Sequence, residues 1–397
     1  MTSFKIAVLP GDGIGPEVIG ESLTVLRAVE ALLSGVAFSF TEHSVGAAEF
    51  LQNGDPLPAA TVEQIKTADA ILLGAMGLPD VRWPSGVEMT PQIDLREQLD
   101  LYNGVRPIRL YHESHSPLRG YDANGTGRSI DFIIVRENCE GLFSERLTPR
   151  APGRDFETDT MKITRRGAGR ICRAAFKLAQ RRRKLCTLVD KANVLPSMAF
   201  FRNVFDSVAH EFPDVETDHV YVDAMALFLV QRPHTFDVMV TENMFGDILS
   251  DLGAGLVGGM GVAPSADLGD DHGLFQPSHG TAPTIAGRGI ANPVATILSV
   301  AMMLEWLDHP ETIRGAQLLH DAVWKVLADP ANRTADLGGS VTTRQLGDRV
   351  CQALISPSLG CAPGTAAPLL LGRHAARSSL KGPGRQADAA RLPYPGS

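Results

Sequence analysis

The chain has 397 residues, 44% of them apolar and 21% charged, with a mean hydropathy near zero. Its formal net charge of -8 and pI of about 5.8 argue against a surface built for nucleic acid or anionic lipid, since polyanion binders carry a basic surplus. No apolar run reaches membrane-spanning length, and the first residues lack a basic segment leading into a long apolar one. The sequence therefore predicts a cytoplasmic protein, neither secreted nor membrane-inserted.

Ile6-Ala7-Val8-Leu9 reads as the first strand. It leads into Gly11-Asp12-Gly13-Ile14-Gly15-Pro16-Glu17, ahead of an apparent helix. A phosphate-binding turn would look like this, but the spacing departs from G-x-G-x-x-G, and a tight strand-to-helix bend explains the glycines equally well. Further strands are expected at residues 70–73, 132–135, 185–189 and 236–240. Short apolar runs alternating with segments of helical period predict an α/β fold with a mainly parallel, covered sheet.

Ile171, Ala174, Ala175, Leu178 and Ala179 fall on one helix face. The basic run Arg181-Arg182-Arg183-Lys184 after it reads as a solvated helix end rather than a polyanion patch. Residues 147–154 read as a projecting loop, and residues 355–397, rich in Ala, Gly, Pro and Arg without periodicity, as a disordered tail. Five scattered cysteines without a C-x-x-C pair suggest reduced thiols.

Three groups of charged residues carry the chemistry. Asp247 and Asp251, four apart on a helix that follows a strand, repel each other unless a cation lies between them; a solvated helix face is the plain alternative. With Asp223 they offer hard oxygen ligands suited to Mg2+ or Mn2+ rather than zinc. Arg96, Arg106 and Arg136 would suit a di- or tricarboxylate if their planar forks converge, and separate ion pairs if they do not. Lys191 ends an apolar strand, where α/β sheets deliver functional side chains; burial and neighbouring cations would lower its pKa toward that of a base.

These segments, in this order, together with Phe275-Gln276-Pro277-Ser278-His279-Gly280-Thr281-Ala282-Pro283 and Ile285-Ala286-Gly287-Arg288-Gly289-Ile290-Ala291-Asn292-Pro293, resemble the β-decarboxylating dehydrogenases over roughly residues 4 to 354. That family includes isocitrate, isopropylmalate, homoisocitrate and tartrate/D-malate dehydrogenases. The resemblance implies a two-domain fold that is not a Rossmann fold, with residues 1–101 and 258–354 in the first domain and 102–257 in a second that forms a homodimer. It implies a metal site of Asp223, Asp247 and Asp251, and carboxylate binding by Arg96, Arg106 and Arg136. Lys191 would be the base, with Lys191 and Asp223 coming from the neighbouring subunit. NAD, with NADP as the alternative, would sit against His279, Gly280, Thr281, Ala282, Pro283 and Asn292. The implied reaction oxidises a 2-hydroxy acid and releases its β-carboxylate as CO2.

The chain departs from the family pattern in several places. Phe143 stands where the family has its catalytic tyrosine, and it has no hydroxyl to donate the last proton. A catalytically weak regulatory paralogue that binds the carboxylate or the nucleotide is therefore the alternative reading. Gln276 replaces the usual glutamate and removes a charge near the nicotinamide end. Thr284 replaces the aspartate that marks NAD preference, with Arg288 and Arg333 as the nearby cations. Thr90 and Gln92, before Arg96, suggest a polar substituent on the substrate in preference to isopropyl, although Met89 and Ile93 would suit an alkyl group.

Overall fold

The computed structural model describes residues 1–356 except 84–85, 124–126, 147–152 and 154, together with Leu369 and Leu371. The expected loop at 147–154, apart from Gly153, lies outside the described residues, as does most of the expected tail. Leu369 is buried against the core.

Among the described residues ten strands form one sheet: β1 (Thr2–Gly11), β2 (Val36–Glu42), β3 (Ala70–Ala75), β4 (Asn103–Arg109), β5 (Asp131–Glu137), β6 (Leu185–Asp190), β7 (Glu216–Tyr221), β8 (Val238–Thr241), β9 (Pro264–Leu268) and β10 (Gly273–Pro277). Their order is β2-β1-β3-β10-β9-β4-β5-β8-β6-β7. The two flanks are parallel, and the central β10-β9-β4-β5 pairings are antiparallel. All five expected strands are present: four lie within β1, β3, β5 and β6, and the one expected at 236–240 overlaps β8, which starts two residues later.

Burial explains which strands the sequence announced. β3 is buried at every position and reads Ala-Ile-Leu-Leu-Gly-Ala, as a strand covered on both faces must. The edge strand β7 is exposed except at Val220 and reads as polar. β4 contains Pro107, whose missing N–H is tolerated because β9 pairs only with residues 103–105 of β4. The helix Val294–Trp306, buried at every residue, packs on β9 and β10. Among the described residues no helix is long and apolar enough to cross a membrane, and Cys139, Cys172, Cys186 and Cys351 are free.

The glycine turn at residues 11–15 is a close-packing device. A side chain on Gly11 would lie 1.9 Å from the Ala75 carbonyl oxygen, and Ile14 donates its N–H to the Thr281 carbonyl at 2.9 Å. Asp12, buried, accepts the N–H groups of Ala47, Ala48 and Gly77 at 2.8–2.9 Å. The turn thus fixes one end of the loop that follows β10.

The basic run is only partly a solvated helix end. Arg182 donates to Asp131 at 2.8 Å and to the buried Asp237 at 2.7 Å, and the Arg183 N–H reaches Asp237 at 2.8 Å. These bonds clamp the helix Arg165–Gln180 to the starts of β5 and β8. Asp237→Ala is expected to lower the unfolding free energy by roughly 2 kcal/mol, because it removes a buried charged acceptor, leaving the Arg183 N–H without its partner and Arg182 with Asp131 alone. Urea denaturation measures it, and catalysis should be little affected.

Candidate active site

The charged residues converge on one face of the sheet's centre. In the antiparallel registers Asp267 on β9 faces Leu274 of β10 on one side and Gly104 of β4 on the other, and Gly104 faces Arg136 of β5. Side chains alternate along a strand, so Gln276, Asp267, Arg106 and Arg136 share one face across four adjacent strands. Arg96 joins them from the helix Pro91–Gln98. Gln276 and the three arginines line a cleft of about 200 Å³, with Asp267 buried behind them, and the helix Asn243–Gly255 adds Asp247 and Asp251 to its wall.

Asp267, fully buried, holds the group together. It accepts from Arg96 Nε at 2.9 Å, Arg106 Nη2 at 3.4 Å, Asn138 Nδ2 at 2.9 Å and Gln276 Nε2 at 2.7 Å. Burial alone would raise its carboxyl pKa, but Arg96 and Arg106 outweigh burial and hold it below the ordinary carboxylate value. Gly104 is required opposite it: a Cβ there would stand 2.7 Å from Asn138 Oδ1 and block Asn138's approach.

Arg136 is buried too, and burial together with Arg96 pushes its pKa down to about 10. Its Nε and Nη2 donate to Asn243 Oδ1 at 2.9 and 2.7 Å, and its Nη1 to Asp247. The guanidinium lies over the Phe143 ring, 5.7 Å from the centroid. Asp251 sits one helical turn beyond Asp247. Burial, and next the charge of Asp247, push the Asp251 carboxyl above its ordinary value. An excess of negative charge on oxygen donors is what a hard dication relieves, so the pair fits Mg2+ or Mn2+.

The third expected ligand is elsewhere. Asp223, at the start of the helix Val222–Gln231, bonds Lys191 Nζ at 2.6 Å beyond the ends of the adjacent strands β6 and β7. Neither residue lines the cleft, and among the described residues no group of three His, Cys, Asp or Glu side chains is placed to hold a metal. A single copy thus presents two parts: a cleft with three arginines and two aspartates, and a lysine–aspartate pair at the sheet's edge.

The expected cofactor residues form the loop after β10. His279 and Gly280 line the cleft. Burial holds the His279 imidazole below its usual pKa; its Nδ1 meets the Gly280 carbonyl at 2.9 Å, and its Nε2 is buried without a partner. Thr281 packs against Gly13, Ala282 has a positive φ of 39°, and Pro283 and Thr284 are exposed. Glu17 accepts the N–H groups of Gly287 and Gly289, tying the loop to the first helix, Gly15–Glu30. Asn292 donates to Asp336 at 3.0 Å and caps the Val294 N–H at 3.0 Å.

Sequence reasoning missed Asp267 and Asn243. An acid inside the apolar string Pro264-Ser265-Ala266-Asp267-Leu268 was the available signal, since a buried charge needs a partner. Of the two polar residues expected to meet the substrate, Gln92 lines the cleft and Thr90 does not, whereas Met76, Ile93 and Phe143 do. Met89 is buried.

Fold and cleft together define an α/β protein whose three buried arginines suit a small carboxylate ligand. The family model described as isocitrate/isopropylmalate dehydrogenase matches residues 5–350. The chain is 40% identical over 369 residues to 3-isopropylmalate dehydrogenase of Aquifex aeolicus, which covers 89% of this chain and 98% of that protein. It is 43% identical over 367 residues to the protein of the same name from Carboxydothermus hydrogenoformans, with 89% and 95% covered. The isocitrate dehydrogenase structure from Methylococcus capsulatus superposes with a TM-score of 0.79 at 35% identity, over 89% of this chain and 100% of that one. The chain belongs to the isocitrate/isopropylmalate dehydrogenase family. It is an oxidoreductase of the β-decarboxylating hydroxy-acid class. The expected preference for a polar substituent is corrected by the names of these relatives, and the regulatory-paralogue alternative finds no support in them.

Two predictions follow from the packing. A Cβ on Gly246 would lie 2.7 Å from Arg136 Cγ, so Gly246→Ala should displace the guanidinium and lower kcat/KM by roughly a hundredfold with the helix retained, as steady-state kinetics and circular dichroism would record. Glu137, behind Arg136 in sequence, is buried and its carboxyl is pushed from 4.5 up to about 8, chiefly by burial. Between those values the native chain holds a proton that the unfolded chain has released, so this stability is complete below the lower value and lost as pH rises toward the upper one. Glu137→Gln should flatten that slope in thermal unfolding between roughly pH 5 and 8.

Proposed function

We propose that this chain oxidises 3-isopropylmalate at its C2 hydroxyl, with NAD as hydride acceptor, and releases the neighbouring carboxylate as CO2. The observation that carries the substrate is the naming of relatives at 40 to 44% identity, aligned over nearly their whole length, as 3-isopropylmalate dehydrogenases. Met76, Ile93 and Phe143 in the lining of the cleft suit a branched alkyl group.

In this reading Arg96, Arg106 and Arg136 grip the substrate's two carboxylates, with Gln92 at the cleft wall. Asp247 and Asp251 of one copy and Asp223 of a second hold Mg2+ or Mn2+, and Lys191 of that second copy takes the hydroxyl proton. A divalent cation bound there would acidify a hydroxyl ligand and stabilise the charge that develops as CO2 leaves. Two observations support a homodimer. Lys191 and Asp223 lie apart from the cleft they would serve, and Leu227, Val230 and Ile248 are 53%, 46% and 59% exposed on the contacting helices Val222–Gln231 and Asn243–Gly255. The proposed domains, 1–101 with 258–354 and 102–257, meet where β9 pairs with β4, and the cleft lies along that seam.

His279 through Pro283 and Asn292 would hold the cofactor's adenosine half. The cofactor is read as NAD, with NADP as the alternative: the cations on hand are Arg333, which donates to Ser114, and the exposed Arg288. Phe143 cannot supply the final proton, so Lys191 or water must.

NAD(P)H absorbance measured with 3-isopropylmalate and Mn2+ or Mg2+ tests the proposal. Chelator-sensitive formation of NADH is expected; silence with isopropylmalate and turnover of another malate-type acid would reassign the substrate. Phe143→Tyr should raise kcat by roughly tenfold or more, because a positioned acid contributes at least that much.

A further inference from the structure

Asp267 has no place in the proposed chemistry, yet Arg96 and Arg106 are both held by it. Burying a carboxylate is costly unless its partners are fixed, and here four donors from four different segments converge on its two oxygens. Arg96 gives Asp267 only its Nε, and no hydrogen bond ties the two Nη groups of this cleft-lining residue to any described residue. Arg106 gives one Nη2 contact at 3.4 Å, and its Nε is buried without a partner. Two like-charged forks are thus gripped from behind, with donors left over at the cleft.

Gln276 completes the arrangement. Its Nε2 stands 2.7 Å from Asp267 Oδ2, on a diagonal cross-strand pair. An acid at position 276 would bring a second buried carboxylate against the first, with no room for a cation between them.

We propose that Asp267 is the positioning residue of the carboxylate-binding cleft: it aims Arg96 and Arg106 at the substrate, and the neutral amide of Gln276 is what allows a carboxylate to stand there. The role rests on the reading that this cleft binds the substrate's carboxylates. Asp267 and Gln276 then act as one unit carrying a single negative charge. The position of that charge within the unit can be exchanged, but its number cannot.

The test is a double-mutant cycle of Asp267→Asn, Gln276→Glu and both together, read in two ways. In ligand-free thermal unfolding, Gln276→Glu is expected to be destabilising beside the native Asp267 and much less so in combination with Asp267→Asn; additive effects overturn the charge-unit claim. In steady-state kinetics with 3-isopropylmalate, Asp267→Asn is expected to raise KM by roughly tenfold or more with a smaller change in kcat, and the double variant to recover most of that loss. An unchanged KM for Asp267→Asn, or a double variant worse than both singles, overturns the positioning role. If the parent enzyme does not turn over 3-isopropylmalate, the substrate reading fails by itself and the unfolding cycle still decides the charge unit. If Asp267→Asn does not fold, Gln276→Glu is compared with the isosteric Gln276→Met. The acid must then be the more damaging in both readouts, and equal damage overturns the proposal.

Discussion

Three guanidinium groups, on Arg96, Arg106 and Arg136, are 6%, 4% and 2% exposed, within reach of one another on one face of the sheet. Charges of one sign cannot be packed this way without counter-charges built into the fold. Asp267 supplies one from inside the sheet, and Asp247 supplies another from the helix that covers it. The antiparallel centre of an otherwise parallel sheet follows the same logic. It brings β9 beside β4, so that an acid from one part of the chain meets arginines from another. The glycines at 104 and 246 exist to let side chains pass where any Cβ would collide.

In the proposed assembly a single copy holds only part of the site. Asp247 and Asp251 form two-thirds of the proposed cation site, while Asp223 and Lys191 pair with each other at the edge of the sheet. A salt bridge exposed to this degree contributes little to stability, which leaves its geometry free to serve a neighbouring molecule. The apolar residues exposed on the adjoining helices give the proposed dimer its contact surface.

The class of fold was legible because β3, β5, β6 and β8 are buried and therefore apolar, and because the helix Arg165–Gln180 carries its hydrophobic residues on one face. β7 was not legible, since an edge strand facing water shows no such pattern. β4 and β9 escaped for the opposite reason: they are buried but carry Arg106 and Asp267, so the site itself disguises them as polar. Arg96, Arg106 and Arg136 could be named from sequence, and their convergence could not, because it depends on the register of three antiparallel strands. The substituent preference drawn from Thr90 and Gln92 failed because neighbours in sequence at a helix start need not face the same space, and only Gln92 turns to the cleft.

The central claim is that two copies of the chain assemble one cation-dependent carboxylate site. It is tested most directly by anomalous diffraction at the manganese edge from crystals grown with Mn2+ and 3-isopropylmalate. The account predicts a single strong peak bounded by Asp247 and Asp251 of one copy and Asp223 of another, with the substrate's carboxylates against Arg96, Arg106 and Arg136. A peak held by one copy alone, or no peak with substrate bound, would contradict it.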